Sequence, residues 1–170
     1  MAKGNSIIVT GAPKGYQREC TVSGTPKPGT CMELKIGTAE ASGRWTYEPA
    51  GTTANSGTSQ GMAADGNRLP IVVLLEDGLQ GKLATEAYAS GDRGFLYWPL
   101  PGDELNMIIL DESGTGATQD FVPGSKLIVD DGTGKLVQSA GSPEAEPFIC
   151  LETITDLAAD YLTWCQFTGV

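Results

Sequence analysis

Glycine and proline punctuate this chain too often for long regular elements. Twenty-three glycines and ten prolines fall within 170 residues, well above the roughly 12% an average chain carries. Such spacing favours short strands joined by tight turns over helices. The length suits one domain that buries about two-thirds of its unfolded surface without disulfides or metals. The expectation is an all-β fold: a single β-barrel or β-sandwich domain with an extended N-terminal arm and long loops.

Strand-sized patterns agree with this. Residues 31–36 (CMELKI) alternate, and 44–48 (RWTYE) place Trp45 and Tyr47 on one face. Residues 71–75 (IVVLL) are continuously apolar, which predicts a core strand covered on both faces, with Pro70 at its start. Residues 93–98 (RGFLYW) put Phe95 and Tyr97 on one face and Leu96 and Trp98 on the other. Two apolar faces there predict that one meets a second subunit. In 104–110, Leu105, Met107 and Ile109 point inward against Glu104 and Asn106. Residues 126–129 and 135–137 flank Asp130-Asp131-Gly132-Thr133-Gly134 and read as a hairpin. Segments 148–154 and 161–167 bring the count to nine or ten strands.

Residues 79–90 are a weak helix candidate, interrupted by Gly81. No repeat with a period of 20–50 residues is visible. Before residue 31 only 6–10 reads as a strand, among five glycines and three prolines, so residues 1–30 are expected to form the arm and 31–170 the domain. Residues 49–68 are small and polar and predict a mobile surface loop.

The chain has no histidine. Ser-His-Asp and Cys-His nucleophile systems, His-bound zinc and imidazole switches are therefore excluded from this chain alone. The net charge is -10, and it is lopsided: residues 1–85 carry eight bases against seven acids, residues 86–170 three against fourteen. That balance opposes nucleic acid and anionic lipid. The first 30 residues hold Lys3, Lys14, Arg18 and Lys27 against Glu19 only, which suits docking on an acidic partner.

Cys20, Cys31, Cys150 and Cys165 form no Cys-x-x-Cys pair, so a zinc site is not expected. Residues 1–9 lack a secretory apolar core, and no run of 18 apolar residues exists. Reduced, buried thiols and no membrane span are the expectation.

Three catalytic patterns tempt and fail. Thr10-Gly11-Ala12-Pro13-Lys14-Gly15 after a strand looks like a dinucleotide-binding turn, but Gln17 stands where the last glycine belongs and Gly24, Pro26 and Pro28 leave no room for the helix that cradles phosphate. Gly57-Thr58-Ser59-Gln60-Gly61 matches a nucleophile elbow without its strand, helix or histidine. Paired carboxylates need no histidine; the candidates Asp103, Glu104, Asp111, Glu112, Asp130, Asp131, Glu144 and Glu146 all fall at strand ends or turns, where solvated acids belong. No cofactor and no metal are expected, and no enzyme.

The run from Ala87-Tyr88 through Gly91-Asp92-Arg93-Gly94-Phe95-Leu96-Tyr97-Trp98 to Pro101-Gly102-Asp103-Glu104, followed by Pro123-Gly124-Ser125-Lys126-Leu127 and Gly134-Lys135-Leu136, resembles capsid decoration (cement) proteins of tailed bacteriophages. The likeness covers roughly residues 70–170 and rests on turn chemistry. It implies a β-rich domain, often trimeric, that binds the major capsid protein on the outside of the virion, with an N-terminal segment reaching onto the shell. It also implies assembly in the bacterial host cytoplasm.

On that reading Lys3, Ser6, Ile7, Ile8, Val9, Lys14 and Arg18 are the candidate capsid contacts, the 6–10 segment adding a strand to an exposed capsid edge. Phe95, Leu96, Tyr97 and Trp98 are the candidate subunit interface of a homotrimer. The alternative is a tail, fibre or surface β-module that binds host glycans through the 49–68 loop and the tryptophans.

Overall fold

A computed structural model describes residues 7–8, 16–35, 44–50, 72–110, 120–130, 132–139, 146–155 and 161–169. The fold is all-β. Ten strands run in chain order among the described residues: β1 Tyr16–Val22, β2 Cys31–Leu34, β3 Thr46–Pro49, β4 Val72–Leu74, β5 Arg93–Trp98, β6 Glu104–Ile109, β7 Lys126–Val129, β8 Leu136–Gln138, β9 Phe148–Cys150 and β10 Tyr161–Phe167. They close into two five-stranded barrels, β1 to β5 and β6 to β10, in keeping with the all-β barrel or sandwich class expected.

The two barrels are wired identically. In each, the first strand pairs parallel with the third and antiparallel with the fifth. The second strand runs antiparallel to the third and the fourth, and the fourth to the fifth. The registers coincide as well. Cys31 faces Val73 as Lys126 faces Ile149, Leu74 faces Leu96 as Cys150 faces Cys165, and Val22 faces Tyr47 as Ile109 faces Leu136. The chain is thus a structural duplication whose halves lie about 70 to 95 residues apart, beyond the period searched in the sequence.

Inward positions match one for one. Cys20, Val22, Met32, Tyr47, Val72, Leu74, Leu96 and Trp98 fill the first barrel. Their counterparts Met107, Ile109, Leu127, Leu136, Phe148, Cys150, Cys165 and Phe167 fill the second. All eight pairs are apolar or aromatic and none is identical, so what the repeat preserves is the period-2 pattern that buries one face of each strand.

The barrels share a joint. Outward residues of the first, Cys31, Val73, Leu75 and Tyr97, belong to the same buried cluster as the interior of the second. The β7–β8 turn docks on β2: Cys31 donates its N–H to the Gly134 carbonyl at 2.7 Å and Gly132 donates to Ala50 at 3.1 Å. Gly134 has φ +65, and a Cβ there would run into the Cys31 carbonyl, so only glycine fits.

Several expectations need correction. The arm predicted for residues 1–30 is in part barrel wall: Tyr16–Val22 is β1, and Ile7 is fully buried. Burying Cys20 and Val22 inside the barrel and closing the β5 ladder offsets the ordering of this segment. Asn106, expected outward, is buried because the joint covers it. The helix candidate at 79–90 is one 3₁₀ turn, Gly78–Gln80, capped by the Asp77 side chain. Of the loop at 49–68, Pro49 ends β3 and Ala50 is buried, while 51–68 lie outside the described residues. No helix among the described residues is long and apolar enough to cross a membrane.

Candidate interaction surface

The N-terminal candidates divide. Ile8 bridges antiparallel to Leu105, and the Ile7 carbonyl accepts the Asn106 N–H at 2.7 Å. The Ile7 N–H reaches both carboxylate oxygens of Glu76 at 3.2 Å, and its side chain is buried in the joint. The strand character read in 6–10 is therefore used, at least at Ile7 and Ile8, to cover an edge of the protein's own second barrel. Ile7 has no surface to offer a capsid. Lys3, Ser6, Val9 and Lys14 lie outside the described residues.

Arg18 is exposed on β1, as are Tyr16, Gln17 and Glu19 beside it. It stands at one mouth of the first barrel, where Tyr16, Trp98 and Tyr47 form an aromatic rim. Tyr16 and Trp98 are 5.7 Å apart between ring centroids, and Tyr47 meets Trp98 edge-on at 6.4 Å. Burial raises the Tyr47 hydroxyl pKa, with the nearby Arg18 charge working against it. Arg44 pairs with Glu19 at 3.5 Å. Sequence reasoning missed this rim because Tyr16, Tyr47 and Trp98 come from three separated strands; the only signal was their shared inward parity with Cys20 and Leu96.

The candidate interface strand is largely consumed within the chain. Leu96 fills the first barrel and Tyr97 the joint, both fully buried, the latter donating its hydroxyl to the Asp103 carboxylate. Phe95 is half-buried against the joint with the Arg93 guanidinium 5.3 Å from its ring centre. Only Phe95 and Trp98 retain partial exposure, so both apolar faces read in the sequence close on this same chain.

The described carboxylates act in turns and cross-strand contacts. Asp103 also accepts the Leu100 N–H at 2.8 Å, Asp130 takes the Thr133 hydroxyl, and Glu104 takes the Trp164 indole at 3.2 Å. Glu146 binds Lys126 and Ser139, and the Lys126 hydrogen bond leads the lowering of its pKa. Asp111, Glu112, Asp131 and Glu144 lie outside the described residues. Among the described residues no group of three or more acids or thiols is placed to hold a metal. A cleft of about 210 Å³ between the barrels is lined by Lys27 and Lys135 with Thr25, Thr30 and Thr133, below the usual size of a small-molecule site.

The most perturbed side chains are structural. Burial pushes the Cys20 thiol up to about 12 and raises Cys31 further. Tyr88, raised by burial, donates its hydroxyl to the Leu75 carbonyl at 2.8 Å. The Gly91-Asp92 turn quoted in the resemblance is a built turn: Gly91 has φ +95 and Asp92 accepts the Ala89 N–H at 2.8 Å. No protein-family model matches the chain, and no curated protein matches it.

Proposed function

We propose that this protein is a non-catalytic capsid decoration protein that binds the major capsid protein on the exterior of a tailed-phage head and bridges neighbouring capsomers. The observation that carries this reading is the division of charge between two barrels of one design. Residues 1–98 hold nine bases and nine acids, residues 99–170 two bases and twelve acids. A body with one neutral, aromatic-rimmed end and one strongly acidic end settles on a surface in a single orientation, the acidic barrel outward. The rigid joint adds a second support: bridging a seam requires a body that transmits load, and the joint locks two closed barrels by main-chain bonds and shared core.

Attachment runs through the first barrel, with Arg18 and the Tyr16–Trp98–Tyr47 rim as contacts. Three copies acting together turn weak single contacts into firm attachment. The test is co-sedimentation with expanded, undecorated heads, followed by heating. Bound protein and a raised temperature of DNA release support the reading; free protein in the supernatant and unchanged release overturn it. The same aromatic rim favours one second reading, stacking on a host glycan, which binding on a glycan array would support and silence on it would remove.

A further inference from the structure

The register of β9 and β10 sets two thiols face to face. Cys150 lies directly opposite Cys165, and both are fully buried in the core of the second barrel. The rungs on this ladder run from the Leu151 N–H to Trp164 and from the Thr168 N–H to Pro147, each at 2.9 Å, so the cysteine pair falls between rungs. The Cys150 N–H turns away, to the Ser125 carbonyl at 2.8 Å. A pair between rungs holds its Cα atoms about 4.5 Å apart, inside the roughly 4.4–6.8 Å that a disulfide spans. The next such pair on the ladder, Phe148 and Phe167, already meets side chain to side chain, with ring centroids 5.3 Å apart. The two thiols donate to backbone carbonyls, Cys150 to Glu152 at 3.1 Å and Cys165 to Thr163 at 3.6 Å, weak bonds that are given up at little cost. The other two cysteines are placed differently: Cys20 faces Gly94 in the first barrel and Cys31 faces Val73 in the joint. In the first barrel the equivalent facing pair is Leu74 and Leu96, so packing at this post asks only for apolar volume and does not itself call for sulfur.

We infer that Cys150 and Cys165 are a redox modification site, which closes as a reversible cross-strand disulfide when the protein meets a small-molecule disulfide such as oxidised glutathione. The exchange balances in two steps. One cysteine, as its thiolate, attacks the oxidant's S–S bond; a mixed disulfide forms and a small thiolate leaves, taking up the proton the cysteine gave. The facing cysteine then attacks the protein-side sulfur of that mixed disulfide, which forms the Cys150–Cys165 bond and expels the second small thiol. Two S–H groups are oxidised and one small disulfide is reduced to two thiols. Burial of both sulfurs confines the attack to moments when the strands open, so oxidation of the folded protein is slow. The bond closes a loop of 14 intervening residues and staples β9 to β10, stabilising the barrel chiefly by restricting the unfolded chain. Its Cα separation sits at the short end of the disulfide range, which keeps it within reach of a dithiol reductant. The inference does not rest on the capsid reading, because the thiol chemistry is independent of what the surface binds.

The test uses the full chain, refolded from urea in a buffer of oxidised and reduced glutathione at pH 8, where every thiol is accessible before folding. The protein is quenched in acid, alkylated in denaturant and mapped by peptide mass spectrometry. Cys150–Cys165 is the dominant linkage, and Cys20 and Cys31 are recovered alkylated. The linked protein melts roughly 5–10 °C above its reduced form, and dithiothreitol removes both the linkage and the shift. Measured against its own reduced form, Cys165→Ala loses the shift and Cys20→Ala keeps it. Four alkylated cysteines, a dominant linkage through Cys20 or Cys31, or glutathione retained on Cys150 or Cys165 in place of the cross-link overturns the inference. Should Cys165→Ala not fold, the linkage map of the unaltered chain decides alone. Failure of capsid binding with the cross-link intact would remove the cement reading alone.

Discussion

Gly29 and Gly124 hold the same post in the two barrels. Each is the third residue of an x-Pro-Gly-(Thr/Ser) turn, at φ +87 and +93, and each donates its N–H at 2.8 Å to the fourth strand, to Leu74 and Cys150 respectively. Their surroundings differ: a Cβ on Gly124 meets open space, whereas one on Gly29 comes 2.9 Å from the Asn106 carbonyl and 3.3 Å from Ile7 and Leu162. Gly124→Ala should therefore cost about 1 kcal/mol, the backbone effect alone. Gly29→Ala adds a clash inside the joint and should cost about 3 kcal/mol. Urea unfolding of the two variants measures the difference directly.

Acid should weaken the first barrel through Asp77 and Asp92. Burial works to raise Asp77, but hydrogen bonds from Gln80, Arg93 and the Leu79 N–H outweigh it and hold the carboxyl below its ordinary range. Asp92 is lowered first by the Ala89 N–H, against burial, with Lys82 at 3.2 Å adding to the effect. Both pKa values are lower folded than unfolded. Their contribution is complete above the unfolded aspartate value of about 4 and is lost as pH falls through the folded values. Asp77→Asn should cost about 1–3 kcal/mol at neutral pH and flatten the fall in urea midpoint between neutral and acidic buffers.

All four cysteines are buried thiols. Cys20, pushed up to about 12 by burial, holds almost no thiolate at mildly alkaline pH. A thiol-specific chromogenic disulfide should label none of the four in the native protein at pH 8 and all four in denaturant; rapid native labelling would contradict the packing.

Stability and surface contact should separate along the N-terminal region. Ile7→Ala empties a fully buried position in the joint and should cost about 2–5 kcal/mol. Arg18→Ala, at an exposed position, should stay within about 0.5 kcal/mol. Removing residues 1–20 would therefore damage the fold itself, so point substitutions are the means to test docking.

The sequence revealed strands where alternation ran to the strand's end. Tyr161–Phe167 and Lys126–Val129 are found at their expected bounds, and burial falls on every second residue, Thr163, Cys165 and Phe167 in the one and Leu127 and Val129 in the other. β1 escaped notice because Arg18 interrupts the inward set of Tyr16, Cys20 and Val22, within a glycine- and proline-rich stretch. The duplication was illegible for a related reason. Barrel packing asks for apolar volume at eight equivalent positions, not for identity, and Trp98 can be answered by Phe167 or Leu74 by Cys150. Backbone geometry is less forgiving, so the trace that remains is in the turns, Pro28-Gly29-Thr30 against Pro123-Gly124-Ser125. The aromatic rim is a product of strand order, which no local pattern encodes.

Image reconstruction by electron cryo-microscopy of expanded, undecorated tailed-phage heads to which the purified protein has been added tests the functional account most directly. The account predicts ordered exterior density into which both barrels fit, with Arg18 and the Tyr16–Trp98–Tyr47 rim against the shell and the acidic barrel outward. Heads indistinguishable from the untreated particles, or density with the acidic barrel against the shell, would contradict it.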